Sequence, residues 1–433
     1  MNNPQLWQDV EGMLELGQAP LAAGMAPEVP MARRRRRAFS PDELDARATL
    51  QLLRDGDGVL RWNYQPPAGS QGRRRRSYRA AHVAQQAVVT QFRFHDLGGN
   101  DITTGLQALD ARLTPARGLR RWAGGALQPL DATASITGRV LLLVHGTFSK
   151  GDMYISELQA TQQGRDLLTR WEQDYSAVLT FDHPTLSVGA WSNAVDLMGA
   201  LGGIKGPIDV VCHSRGGLVV SWLLRLRALP VERVVFVGSP LTGTSLASPA
   251  RLRAALDLFA NVAEAAADAA GAASAVLPLA AGAAGLARIF GKTLRLGSSL
   301  PVMDAAVSLV PGLATQQRTS NNLEVQQLFR EQWQTRPALA GVGVYFQPDE
   351  SAQGWKFWKR FNNIGNQLKY AGADLIFDGP NDLVVDVQAM SQLGEKDVIK
   401  PGDFLDLKTS PTVHHTSYFR EPRVLAFLQE RLK

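Results

Sequence analysis

Four short stretches of this 433-residue chain hold side chains that could do chemistry together. The first is Asp209-Val210-Val211-Cys212-His213-Ser214-Arg215-Gly216-Gly217-Leu218-Val219-Val220, an apolar strand-like run entering a helix-like run through a turn centred on Ser214. A serine so placed can attack a carbonyl, because the bend presents its hydroxyl above the strand ends. The backbone N–H groups just after it point at the oxygen that becomes negative. Cys212 stands where such elbows usually carry a first glycine, Gly216 keeps the second, and Gly217 adds room. The competing reading of Ser214 is an ordinary helix N-cap. The second stretch, Val144-His145-Gly146-Thr147-Phe148, ends an earlier apolar run. An oxyanion needs two N–H donors, and the pattern expects them from Arg215, next to the nucleophile, and Thr147, in this loop. A serine also needs a base, and the base an acid to fix its tautomer. Past Ser214 the chain contains only two histidines, His414 and His415, so the base is one of these. The acid is sought between Ser214 and those histidines, in Phe377-Asp378-Gly379-Pro380-Asn381-Asp382-Leu383-Val384-Val385. His145 and His213 sit on the loop and the elbow themselves and read as structural.

Chemistry of this kind needs a frame that brings distant segments to one place. From Gly138 onward the chain alternates continuous apolar runs (139–144, 177–181, 208–212 and 233–238) with helical stretches at about 154–170, 191–201 and 216–227. Strand, helix, strand, helix at this spacing predicts a doubly wound, mostly parallel α/β sheet with functional groups at the carboxyl ends of its strands. An Ala-rich helical block follows to about residue 310. Strand material then returns at 342–346 and 374–377, and a final helix is expected over 422–432.

These features together resemble a bacterial α/β-hydrolase of the lipase/esterase type. The resemblance rests on the His145-Gly146 loop, the Ser214 elbow, Gly238-Ser239-Pro240-Leu241-Thr242-Gly243-Thr244, the Asn381-Asp382-Leu383-Val384 turn and the late histidines. Similar lipases carry Asn-Asp-Gly-x-Val around their acid. That maps the acid onto Asp382, with Asp378 as runner-up and Leu383 standing where glycine is usual. The base maps onto His415, followed by Thr416-Ser417-Tyr418-Phe419, with His414 as runner-up. The resemblance implies an ester hydrolase working through an acyl-enzyme on a small-molecule or lipid substrate, with no metal or organic cofactor. A thioesterase, amidase or acyltransferase would use the same triad. A non-catalytic hydrolase-like binding module is the reading from another class. The Ala-rich insertion, about 248–315, falls where related lipases place a helical cap or lid.

The rest of the chain bounds the reading. Residues 1–138 hold 18 Arg and no Lys against 13 Asp+Glu, so they carry +5 of the +6 net charge and leave the chemical part nearly neutral. The runs Arg33 to Arg37 and Arg73 to Arg76 could meet an anionic surface, but no aromatic residues interleave them, and nucleic acid is not expected. Residues 1–38 read as a loosely ordered basic segment, 39–137 as a small α+β extension and 138–433 as the hydrolase domain. Ser40-Pro41-Asp42-Glu43 predicts a helix to about Leu53, and 83–94 a strand. No signal-peptide pattern opens the chain, no stretch reads as a membrane span, and the single cysteine, Cys212, cannot form an internal disulfide. These features point to the cytoplasm. Trp355, Phe357, Trp358 and Phe361, beside three basic residues, read as edge packing or, less simply, as a lipid contact.

Overall fold

The computed structural model describes residues 47–54, 60–65, 87–95, 99–131, 133–226, 228–244, 285–286, 310–317, 322–330, 333–347, 380–394 and 397–433. Three strands come first: β1 (Arg47–Arg54), β2 (Leu60–Gln65) and β3 (Ala87–His95). They form an antiparallel sheet in the order β2-β1-β3. Helix α1 (Gly99–Leu113) follows, then β4 (Gly118–Ala123) and β5 (Ala126–Pro129). Next come β6 (Val140–Val144), α2 (Asp152–Gln159), α3 (Gln162–Asp174), β7 (Ala177–Asp182) and α4 (Ala190–Ala200). Then follow β8 (Ile208–His213), α5 (Gly216–Leu226), β9 (Val231–Val237), α6 (Pro311–Ala314), α7 (Leu323–Arg330) and β10 (Ala338–Phe346). The chain ends with α8 (Val387–Ser391), β11 (Gln392–Leu393), β12 (Asp397–Val398), β13 (Phe404–Ser410) and α9 (Pro422–Arg431).

The main sheet has eight strands in the order β13-β10-β9-β8-β6-β7-β4-β5. Six run parallel, and β4 and β5 are antiparallel additions at one edge. This is the α/β-hydrolase fold. Its physical basis is visible in β6, whose five residues Val-Leu-Leu-Leu-Val are all fully buried. The period of two sends Leu141 and Leu143 into the core under α2, α3 and α9. Val140, Leu142 and Val144 enter the opposite core under α4, α5 and α7. At the amino end of β8, the buried Asp209 accepts from Arg139 (3.1 and 3.2 Å), Arg233 (2.9 Å) and the Tyr175 hydroxyl (2.9 Å), which satisfies a carboxylate inside the sheet.

Two expectations from the sequence need correction. The sheet begins before Gly138: β4 pairs with β7 from Gly118↔Asp182 to Arg121↔Leu179, so a boundary at 138 cuts through it. The paired arginines of Gly-Leu-Arg-Arg-Trp-Ala hide a strand whose Arg120 is consumed by Asp152 (2.6 Å) and Asp182 (3.0 Å), with Leu119 and Trp122 in the core. The helix expected to run to Leu53 is instead strand over Arg47–Arg54, because pairing on both sides by β2 and β3 overrides the local capping signal. The Arg33–Arg37 and Arg73–Arg76 runs, Asp378, the strand expected at 374–377, the Trp355 cluster and most of the 248–315 insertion lie outside the described residues. Among the described residues, no helix is long and apolar enough to cross a membrane.

Candidate active site

Ser214 follows the last residue of β8, only Arg215 separates it from the first residue of α5, and its backbone adopts φ 54°. A non-glycine residue in the left-handed region is strained, so the surroundings must hold it there. The Ser214 N–H donates to the Val237 carbonyl (3.0 Å), and the Gly217 N–H donates back to the Ser214 carbonyl (2.9 Å). Gly216 lies so close to the Val144 carbonyl that no side chain fits, and Gly217 faces Ser239 in the same way. Cys212 needs no such freedom. It is a buried residue of the β8 core face, with its Sγ 3.6 Å from the Val235 carbonyl.

On one flank lies the His145-Gly146 loop. A methyl group on Gly146 would come within 2.5 Å of Ser214 Cβ, which explains the glycine. His145 Nδ1–H donates to the Gly146 carbonyl (2.9 Å) and its Nε2 accepts the His183 N–H (3.3 Å). The ring stacks on His183 with centroids 4.1 Å apart. Burial lowers the pKa of both imidazoles, so they act as neutral spacers, as the sequence suggested for His145. Phe148, also at positive φ (55°), donates its N–H to Thr185 Oγ1 (3.2 Å). The Thr147 hydroxyl pairs with the Gln316 amide (2.9 and 3.1 Å). The backbone N–H groups of Thr147 and Arg215 have no acceptor among the described residues.

On the other flank stand the late residues. His415 Nδ1–H donates to Asp382 Oδ2 (2.8 Å), and the His415 N–H donates to the Asp382 carbonyl (3.0 Å). Asp382 Oδ1 accepts the N–H groups of Val384 (3.0 Å) and Val385 (2.8 Å). The aspartate is fully buried, and Leu383 beside it takes φ 83°, the conformation that explains the glycine usual at this place. The imidazole is therefore held as the Nδ1–H tautomer, which leaves Nε2 free to accept a proton. His213 brings this pair to the elbow: its Nε2–H donates to the His415 carbonyl (2.8 Å), and the two rings lie 4.7 Å apart. Burial forces His213 down to about 3, so it stays uncharged. His414, the runner-up, points elsewhere. Its ring meets Phe346 edge-on and its Nδ1 lies 3.1 Å from Thr416 Oγ1, while burial lowers its pKa to about 4.

The structure thus joins Asp382 to His415 and sets both against the Ser214 elbow. Among the described residues, the contact that joins the elbow to this pair is made by His213 and not by Ser214 Oγ. Ser214 is buried, 4% exposed, and not presented in the open as the elbow pattern suggested. One contributor went unread in the sequence, and two residues named there do more than was read. Tyr418 donates its hydroxyl to Asp382 Oδ2 (2.8 Å), close against Gly238, whose positive φ lets the chain turn beneath them. His213 anchors the His415 backbone. Arg215 is fully buried, with Nη2 donating to the Val188 carbonyl (2.7 Å), and burial lowers its pKa to about 10 against the pull of Asp110 and Glu324. The tyrosine lay within the quoted late segment, but its partner could not be inferred from spacing. Among the described residues, no cluster of three His, Cys, Asp or Glu side chains could hold a metal ion.

Solved structures similar to the chain share little sequence with it. The mature lipase of Bacillus licheniformis aligns at 14% identity and TM-score 0.39, covering 71% of this chain and 94% of its own. Lipase 1 from Pelosinus fermentans aligns at 13% and 0.41, covering 68% and 97%. The Cif epoxide hydrolase of Acinetobacter nosocomialis aligns at 12% and 0.36, covering 76% and 97%. No curated protein matches the chain. One family model, described as "Domain of unknown function (DUF7379)", matches residues 112–433, well over half of the chain, and the chain belongs to that family.

Proposed function

We propose that this protein is a serine hydrolase that cleaves carboxylic esters through an acyl-enzyme, with Ser214 as nucleophile, His415 as base and Asp382 as acid. The reading is carried by the buried Asp382–His415 hydrogen bond of 2.8 Å, locked against an elbow whose serine sits at φ 54°. In the reaction, His415 Nε2 takes the Ser214 proton as Oγ adds to the ester carbonyl. The backbone N–H groups of Thr147 and Arg215 hold the oxyanion, His415 returns the proton to the departing alkoxide, and water then releases the acyl group by the reverse steps. Asp382 keeps its proton balance throughout, and it orients the imidazole and stabilises its charged form. The near-zero net charge of residues 139–433 fits a small-molecule or lipid ester.

The experiment is a fluorophosphonate label followed by peptide mapping, run beside hydrolysis of a short-chain chromogenic ester. Labelling at Ser214 is expected, and Ser214→Ala should abolish both label and turnover while leaving the melting temperature unchanged. Equal turnover in Ser214→Ala and parent would remove the assignment.

A further inference from the structure

Asp110 lies on α1, outside the 112–433 stretch of the family match, and is fully buried. Its carboxylate is wrapped by one short loop that follows β7. Oδ1 accepts the N–H groups of Thr185 (2.9 Å) and Leu186 (3.1 Å). Oδ2 accepts Leu186 N–H (3.3 Å), Ser187 N–H (2.7 Å) and the Ser187 hydroxyl (2.6 Å). Three successive amides turned onto one anion form a backbone nest, and without that anion the buried N–H groups of Thr185 and Leu186 and the half-buried one of Ser187 would lose their partner.

The same loop faces outward to the residues that surround the elbow. Thr185 Oγ1 accepts the N–H of Phe148, which is held at positive φ next to Thr147. The Leu186 carbonyl accepts the Gly312 N–H (2.9 Å). The Gly312 carbonyl in turn accepts from Gln316 Nε2 (2.7 Å), whose amide pairs with the Thr147 hydroxyl. The Val188 carbonyl accepts Arg215 Nη2–H. Both residues that offer an unspent backbone N–H beside Ser214 are therefore tied to a loop that ends on Asp110.

We infer that Asp110 is a positioning residue for the oxyanion-binding residues Thr147 and Arg215, acting through the 185–188 loop. The inference rests on the serine-hydrolase reading of Ser214. A displacement of about 1 Å in a positioned group can cost up to a hundredfold in rate. An oxyanion donor is used only once charge develops, so the loss falls on turnover and spares substrate affinity.

The test compares parent, Asp110→Asn and Thr185→Val with a short-chain chromogenic ester, each normalised to the active sites titrated by a fluorophosphonate. Both variants are expected to lose ten- to a hundredfold in kcat per titrated site with KM within twofold. Their affinity for a trifluoromethyl ketone, which forms an oxyanion on binding, should fall in step. A purely structural role would lower the melting temperature and the titratable fraction and leave kcat per site unchanged, and that result in folded Asp110→Asn overturns the inference. Where Asp110→Asn does not fold, Thr185→Val, which removes only the acceptor of the Phe148 N–H, decides by the same criterion. If the parent is not labelled at Ser214, the hydrolase reading fails and the catalytic claim falls with it. Hydrogen exchange at the 185–187 and Phe148 amides then reads the clamp alone, and exchange in Asp110→Asn no faster than in the parent refutes the clamp.

Discussion

At the scale of single residues, Asp382, the proposed acid, is held on both of its carboxylate oxygens. Asp382 accepts four hydrogen bonds: two from the Val384 and Val385 amides, one from His415 and one from Tyr418. These donors differ in consequence. Asp382→Asn would set an amide N–H against His415 Nδ1 or force the other tautomer, so kcat is expected to fall on the order of a thousandfold or more. Tyr418→Phe removes one of four donors and leaves the tautomer in place, which corresponds to about 1 kcal/mol and at most roughly tenfold in kcat. Steady-state kinetics on the two variants checks the ordering. A Tyr418→Phe defect as deep as that of Asp382→Asn would mean that the hydroxyl, not the imidazole tautomer, governs the site.

At the scale of elements, the late histidine is followed by a short turn that packs against α2. Arg420, in the short turn Tyr418–Arg420, makes a fork-to-fork pair with Glu157 of α2 (2.6 and 2.8 Å). Glu157 is buried, and burial raises its carboxyl pKa while Arg420 draws it back down. Breaking one side of such a pair is costly, so Arg420→Ala is expected to destabilise the fold by about 3 kcal/mol. Denaturant unfolding measures this, and a change below about 0.5 kcal/mol would show the pair to be decorative. Elements of this kind explain what the sequence could tell and what it could not. The parallel strands were legible because strands covered on both faces are built of continuous apolar runs, as in β6. Ser214, Asp382 and His415 were singled out by the resemblance and because only two histidines follow Ser214, and of these the structure pairs Asp382 with His415. Strand β4 was not legible, since its paired arginines interrupt any apolar run and the partners of Arg120, Asp152 and Asp182, lie 32 and 62 residues away. Asp110 carries no local signal at all, because its partners are the backbone amides of a loop some 75 residues later.

At the scale of the whole molecule, neutral buried histidines make stability depend on acid. Burial depresses His213 to about 3 and His414 to about 4, and it pushes His145 and His183 in the same direction. In the unfolded chain these groups take up protons near pH 6.5, while in the native state burial holds each of them below that. The unfolded state thus binds more protons across this window, so stability is full above about pH 6.5 and is lost as the pH falls toward 4. Each histidine contributes up to about 1.4 kcal/mol per pH unit, opposed in part by the raised carboxyls of Glu157 and Glu324. The urea midpoint at pH 5 is therefore expected to lie clearly below that at pH 7.5, by about 2 kcal/mol or more in unfolding free energy. Identical midpoints would mean that the buried imidazoles take up protons without unfolding.

Cys212 has a practical consequence. Its thiol is sealed beneath the elbow, where burial raises its pKa well above the ordinary range and starves it of thiolate. Maleimide reagents should pass the native protein by, as intact mass would show. The wild-type chain then serves as its own silent background, and one cysteine engineered at any surface position would carry a fluorophore or spin label at a single known address.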